Sequence, residues 1–293
     1  MNFRRESGLR LGVLRGDSVF DLQELSVAAG NVASFCSSAS EFLNAGTEAL
    51  DLARKLVAEI PAGFAAFPLK LVELGPPVPK PSKIIAVGLN YRDHAGEANF
   101  KVPEYPLLFA KFPNSIAGPH DAIVIPAEDM QVDSEAELAV VIGRRGKAIR
   151  AEAAYDYVAG YMALNDVSGR KWQFADKQWT RGKSCDTFCP IGPWLTTRDE
   201  IADPHNLGVI GRLNGEVFQD SNTSKLIFRV PELISFISEA ITLEPGDIIA
   251  TGTPSGVGVF RKPPVFMKVG DVAEVEIEGL GVLRNAVVGV GRK

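Results

Sequence analysis

Cysteine and histidine are both scarce in this chain of 293 residues, with three of each. Cys36, Cys185 and Cys189 form an odd set at unremarkable spacing, which excludes a disulfide framework and suits a reducing compartment. Cys185 and Cys189 lack the further Cys or His partners that zinc needs, so buried thiols are expected. His94, His120 and His205 are the whole supply of imidazoles, and base chemistry near neutral pH has few candidates. No apolar run approaches the roughly 20 residues that span a bilayer, so no membrane partner is expected. Arg4 and Arg5 are followed by Glu6 and no apolar segment, which argues against a secretory signal and for a cytoplasmic protein. The formal net charge of −5 comes from well-mixed charges without a basic face, so nucleic acid is not an expected partner.

What the chain does have is core-forming material, 46% hydrophobic residues, enough for one large domain or two unequal ones. Leu11–Leu14 and Ser18–Leu22 flank Gly16-Asp17 and read as a hairpin. Residues 39–59 have helical spacing through Phe42, Leu43, Leu50, Leu52 and Leu56. Pro76, Pro77, Pro79 and Pro81 preclude a regular ladder, so a small N-terminal α+β module is expected over 1–75, a Pro-rich linker over 76–82 and the main domain over 83–293. Strands are predicted at Ile84–Val87, Leu107–Lys111, Ala122–Ile125, Ala136–Ile142, Tyr161–Asp166, Gly208–Leu213, Asp247–Thr251, Val272–Ile277 and Val282–Val288. Asn214-Gly215 signals a hairpin turn into 216–218, and Pro231 opens a helix carrying Leu233, Ile234, Phe236 and Ile237. Strand outweighs helix and no βα period repeats, so Rossmann and TIM arrangements are disfavoured and a mixed, β-rich α/β fold is expected.

Acidic residues lie where apolar strands ought to be. Glu135 and Glu137 precede Leu138–Ile142, and Asp166 follows Tyr161–Asn165. Side chains two apart in a strand share a face, roughly 7 Å apart along the chain. Carboxylates that close on buried strands repel unless a cation sits among them. A solvent-facing strand edge would explain Glu135 and Glu137 alone, but Asp166 in a second apolar strand favours a metal site. Hard oxygen donors without nearby Cys or His suit Mg²⁺, Mn²⁺ or Ca²⁺.

His94 and Glu97 are three apart, which would put both on one face of a short helix directly after the Ile84–Val87 strand. A carboxylate beside an imidazole orients it as a general base; a solvated surface pair is the commoner outcome of such spacing. Gly96 within the segment and Asn99 after it imply a helix that opens and closes as a lid. Gly182-Lys183-Ser184 superficially suggests a phosphate loop, but Lys177 stands where that motif needs glycine, and the nucleotide reading fails. The glycine-rich run 251–258 could meet a small anion with its amides and the Thr253 hydroxyl, or be a structural turn. Gln173, shortly after Asp166, could face the same pocket.

Taken together these segments resemble the fumarylacetoacetate hydrolase family. The resemblance is carried by 87–94 (Val-Gly-Leu-Asn-Tyr-Arg-Asp-His), 133–143, 165–170, 182–193, 213–216 and 245–258, in order from Lys83 onward. The tail 257–268 is most similar to the branch containing the second mammalian fumarylacetoacetate hydrolase domain-containing protein. The resemblance implies a mixed β-roll or sandwich of the family's C-terminal type, a homodimer, and one Mg²⁺, Mn²⁺ or Ca²⁺ held by Glu135, Glu137 and Asp166. It implies a base pair at His94 and Glu97, a catalytic lysine at Lys183, and substrate-binding positions at Gln173 and Thr253. Asp93 matches a position where some members carry an additional metal-ligating aspartate. Leu89 stands where acylpyruvate-cleaving members often carry arginine, and Gly169 and Lys171 replace the more usual Ala and Asp.

The implied substrate is a small 2-oxo acid. In the first reading a C–C bond of an acylpyruvate is hydrolysed: the metal chelates the 2-oxo acid end and stabilises the departing enolate, His94 with Glu97 activates water, and Lys183 with Gln173 offsets oxyanion charge. In the second, the same residues drive keto–enol tautomerisation or decarboxylation of oxaloacetate. A third is a non-catalytic, metal-stabilised binding protein, against which His94, Glu97 and Lys183 together argue.

Overall fold

The most apolar stretches of the sequence become the central sheet. In a computed structural model that describes residues 1–6, 8–97, 101–127 and 129–291, seven strands lie side by side. Their order is Leu107–Lys111, Ile84–Gly88, Ile248–Ala250, Ala136–Ile142, Val158–Asn165, Cys189–Thr197 and Ile116–Ala117. Ala136–Ile142 and Val158–Asn165 are buried along their whole lengths, because both sheet faces are covered. On one face Leu138, Val140 and Tyr161 pack with Leu233, Ile234 and Ile237 of the helix Val230–Ala240, and with Val209, Val275 and Leu283 of a second sheet. On the other, Ala139, Val141, Met162 and Leu164 meet Leu43 and Val78.

The second sheet runs Glu216–Asn222, Gly208–Leu213, Val272–Ile277, Gly281–Gly289, Ile123–Ile125. Its first hairpin turns at Asn214 and Gly215, whose φ values of 52° and 82° are the left-handed pair that a two-residue turn demands. A third, five-stranded sheet gathers residues of the first 75 positions, including the hairpin of Gly8–Arg15 with Ser18–Asp21. The fold is therefore a mixed, strand-rich α/β arrangement of curled sheets. No helix among the described residues is long and apolar enough to cross a membrane.

Three local features depart from the sequence reading. The helical stretch near 39–59 is two helices, Ala39–Ala45 and Thr47–Ala58, because Gly46 between them adopts φ 58° and ψ −125°. Residues 76–82 are irregular as expected, yet Pro76, Pro77 and Val78 are buried, and Asn2 Nδ2 donates to the Pro76 carbonyl at 2.8 Å. The linker segment packs against the protein. Cys189–Thr197 is a full central strand although Pro190 and Pro193 argue against one. Pro193 falls where the register with Val158–Asn165 shifts, and Pro190 pairs only with the short edge strand Ile116–Ala117, so neither removes an essential ladder bond.

His205 supplies a pH-dependent contact in this frame. Its Nε2 accepts the Val230 N–H at 3.1 Å, which satisfies an orphan donor at the start of the helix Val230–Ala240. Burial, more than any neighbouring charge, pushes the imidazole below its ordinary 6.5. Protonation of Nε2 would break the contact. A histidine depressed in the folded state stabilises above its unfolded pKa, and the contribution is lost as pH falls through the folded value. Thermal midpoints should therefore fall below about pH 6.5, and His205→Gln should flatten that dependence while costing stability at pH 8. Identical pH profiles for the two proteins would contradict this.

Candidate active site

The register of two neighbouring strands brings the acidic residues together. Ala136 pairs with Asn165 and Glu137 with Leu164, so Glu135 lies opposite Asp166, whose backbone N–H donates to the Glu135 carbonyl at 2.9 Å. Glu137, two residues on, shares that face. Oxygen atoms of Glu135, Glu137 and Asp166 lie within 4.8 Å of one another, and all three residues are buried.

Three buried cations surround the trio. Lys183 Nζ sits 2.7 Å from Glu135 Oε2 and 2.6 Å from Asp166 Oδ2. Lys111 Nζ takes the other Asp166 oxygen at 2.6 Å and also donates to the Lys183 carbonyl. Arg170 donates to Glu135 through Nη2, to Asp133 Oδ1 through Nε at 2.7 Å and to Gln173 Oε1 through Nη1 at 3.0 Å. Burial works against the Glu135 charge, but Lys183 and Arg170 outweigh it and hold the carboxyl well below the usual range. Burial also works against the Lys183 ammonium, and Asp166 and Glu135 overcome it and push its pKa up.

Glu137 is the exception. Among the described residues it pairs with no cation, and its one polar partner is the Gly252 N–H at 2.8 Å. Burial first, then the charges of Asp166 and Glu135, push it well above the ordinary carboxylate range. Four buried carboxylates (Asp133, Glu135, Glu137, Asp166) face three buried cations (Lys111, Arg170, Lys183), which leaves one formal negative charge uncompensated. All-oxygen donors with a charge deficit on one face fit a hard divalent cation. Glu135, Glu137 and Asp166 are the residues placed to hold it.

His94 lies on the short helix Arg92–Glu97, buried to 6% exposure, with Nδ1 3.4 Å from Glu97 Oε2. Glu97 is itself fixed by the Gly256 N–H, 3.0 and 3.1 Å from its two oxygens. The loop 252–256 holds Glu137 through the Gly252 N–H and Glu97 through the Gly256 N–H, which sets the pair beside the acidic trio. Phe260 packs on the ring at 5.6 Å between centroids. The base pair and the acidic trio thus belong to one site. Asp93 is not among the converging carboxylates, since its oxygens accept from Ser221 Oγ at 2.9 Å, Lys225 Nζ at 3.0 Å and the His94 N–H at 2.9 Å. Asn99, invoked for lid motion, lies outside the described residues.

The remaining expected residues are placed differently. Lys183 is held between two carboxylates, which take two of its three N–H donors. Gln173 spends its carbonyl on Arg170. Thr253 Oγ1 donates to the Ala136 carbonyl at 3.0 Å and accepts from Gln219 Nε2 at 2.7 Å, so its hydroxyl ties its own loop and the strand Glu216–Asn222 to the central strand. Cys185 is half-buried rather than fully so, and all three thiols are free. Sequence reasoning passed over Lys111, Asp133 and Arg170. Asp133 could have been found by continuing the alternate spacing back from Glu135; nothing local marks Lys111, which ends an apolar strand.

Comparison with known proteins follows the same lines. Residues 83–288 match the family model described as fumarylacetoacetate (FAA) hydrolase C-terminal. The rat (Rattus norvegicus) mitochondrial oxaloacetate tautomerase Fahd2a is 51% identical over 249 residues, covering 85% of this chain and 79% of the relative. The human (Homo sapiens) mitochondrial oxaloacetate tautomerase FAHD2A is 50% identical over 251 residues, with the same coverage. Among solved structures, maleylpyruvate hydrolase from Sphingobium sp. SYK-6, in complex with manganese(II) ion and pyruvate, superimposes with a TM-score of 0.79 at 34% identity, covering 99% of both chains. The expectation of a cytoplasmic protein is overturned here: the rat and human relatives are mitochondrial by name, and the want of a secretory signal does not bear on that address.

Proposed function

The chain belongs to the fumarylacetoacetate hydrolase family of enzymes, and from that premise we propose that it is a divalent-metal-dependent oxaloacetate keto–enol tautomerase. The observation that carries this reading is a buried His94 paired with a half-buried Glu97, one base beside a carboxylate trio, in a chain 51% identical to a protein named for that reaction. Mg²⁺, Mn²⁺ or Ca²⁺ held by Glu135, Glu137 and Asp166 would supply Lewis-acid polarisation of the 2-oxo acid.

The chain's own residues supply proton transfer and its confinement. With Nδ1 directed at Glu97, the Nε2 of His94 is the nitrogen left to take a proton from the substrate carbon between the two carbonyls. The same imidazolium returns that proton to the enol oxygen, so the reaction closes without water or a second acid. Glu97, pinned by Gly256, keeps the ring in the orientation both transfers need. Lys183 and Arg170 hold Glu135 ionised, and Lys111 secures Asp166. Phe260 stands beside the imidazole at 5.6 Å, an apolar neighbour on one side of the base.

A second reading, hydrolysis of an acylpyruvate-type C–C bond, draws support from the 34% identity to maleylpyruvate hydrolase over 99% of both chains. Here His94 and Glu97 would activate water instead. Metal-loaded protein incubated with enol-oxaloacetate, acetylpyruvate and fumarylpyruvate separates the two. Tautomerisation predicts rapid decay of enol absorbance with oxaloacetate and no release of pyruvate; pyruvate release from acetylpyruvate at a comparable rate would favour hydrolysis. We also expect a homodimer, so light scattering at micromolar concentration should give about twice the 31.5 kDa chain mass. A monomer mass would refute that expectation.

A further inference from the structure

The geometry points to Asp133 as a positioning residue that joins the base-bearing helix Arg92–Glu97 to the metal-ligand set through the loop 256–260. The inference deepens the proposed reaction and rests on that reading of His94 and Glu97.

Asp133 is buried, and its two oxygens serve different parts of the site. Oδ1 accepts from Arg170 Nε at 2.7 Å, and Arg170 in turn donates to Glu135. Oδ2 accepts the Val259 N–H at 2.9 Å. Val259 stands in a single turn, Gly258–Phe260, whose last residue packs on the His94 ring. Two residues before that turn, the Gly256 N–H holds both oxygens of Glu97. A hydrogen-bonded path therefore runs from Glu97 through the loop to Asp133, and on through Arg170 to Glu135.

The loop has little room to move independently of this path. A Cβ at Gly256 would lie 2.0 Å from the Phe218 carbonyl oxygen, and one at Gly258 would lie 2.1 Å from the Val265 carbonyl oxygen and 3.1 Å from Asp133 Cβ. Arg261 covers the Phe218 ring at 3.9 Å. Only a carboxylate offers two acceptor oxygens at this point. An amide would turn one of them into a donor facing either Arg170 or Val259. The choice of aspartate at a position that touches neither base nor trio follows from this double demand.

Two substitutions in the full-length protein test the link. Asp133→Asn keeps the volume but cannot satisfy both donors. Val259→Pro removes the loop donor alone and leaves the Asp133–Arg170 pair in place. Hydrogen exchange is the decisive measurement: both variants should lose protection at 92–97 and 256–260 while Ala136–Ile142 stays as protected as in the wild type. Each should lower kcat by about 10–100-fold with KM little changed, the cost of misplacing a base by a fraction of an ångström. Mn²⁺ titration should show weakening of about 10-fold or more in Asp133→Asn, as for an outer-shell partner, and wild-type affinity in Val259→Pro. Wild-type exchange at 92–97 in either variant would overturn the link. So would equal loss of protection in Ala136–Ile142, since Asp133 would then serve the fold at large. A fully active His94→Ala would instead sink the proposed reaction, and the exchange data would still decide whether the helix and the ligand set are joined.

Discussion

Asp166→Ala is expected to lose divalent-metal binding and activity together. Asp166 is fully buried, and each of its carboxylate oxygens meets an ammonium at 2.6 Å, Lys111 on one side and Lys183 on the other. Removing it takes away one of three converging ligands and leaves two lysines buried without their shared counter-charge. Breaking a buried ion pair from one side costs about 3–5 kcal/mol, so a lower thermal midpoint should accompany the loss of function. Asp166→Asn keeps the volume and one acceptor oxygen but sets an amide N–H₂ against one of the two ammoniums, so it tests the ligand assignment without opening a cavity and should also lower the thermal midpoint. Mn²⁺ titration should show weak or no binding in both variants, and wild-type protein stripped by chelator should regain activity when Mg²⁺ or Mn²⁺ is added back. Unchanged Mn²⁺ affinity in Asp166→Asn would refute the assignment of the trio as the ligand set.

His94→Ala should behave in the opposite sense: metal retained, turnover lost by a factor of about 10²–10⁴, the usual worth of a general base. No ligand is removed, and the ring's neighbours Glu97 and Phe260 are held by the loop rather than by the imidazole. Glu97→Ala should resemble it in milder form, because Glu97 orients the base without carrying the proton. If the reaction is tautomerisation, enolisation itself collapses with His94; if it is hydrolysis, water attack slows while enolisation persists in part. Proton exchange at the substrate methylene, followed by NMR in deuterated water, distinguishes the two. Full turnover in His94→Ala would take the imidazole out of the mechanism.

Much of this site was legible in one dimension. Glu135, Glu137 and Asp166 stand out because strand alternation is local: apolar neighbours announce the strand, and a period of two says which residues share a face. Strands such as Leu107–Lys111, Ala136–Ile142, Gly208–Leu213 and Val272–Ile277 have the bounds their sequence predicts, since each is a β-branched or aliphatic run closed by turn residues. His94 and Glu97 were readable as a pair for the same local reason, being one helical turn apart.

Local pattern failed where partners come from elsewhere in the chain. Cys189–Thr197 carries two prolines and looks unfit for a central strand until the register shift beside Pro193 is seen. Lys111 ends an apolar strand and Asp133 precedes an acidic one, and nothing near either says that the first will meet Asp166 and the second will hold Arg170 and Val259. Nor does anything local say that Lys183 will bridge Glu135 and Asp166, or that the Gln173 carbonyl will meet Arg170.

The amino-acid sequence by itself determined the strand-rich class, the phase that puts three carboxylates on one face, and the pairing of His94 with Glu97. Those follow from the dihedral preferences and side-chain alternation of short segments. Which cations neutralise the carboxylates, and which of them is left short of a counter-charge, was decided only when the sheet set Ala136–Ile142 between Ile248–Ala250 and Val158–Asn165. Electrostatic pairing depends on distance through space, and neighbours 17 to 55 residues apart along the chain become neighbours only through that strand order.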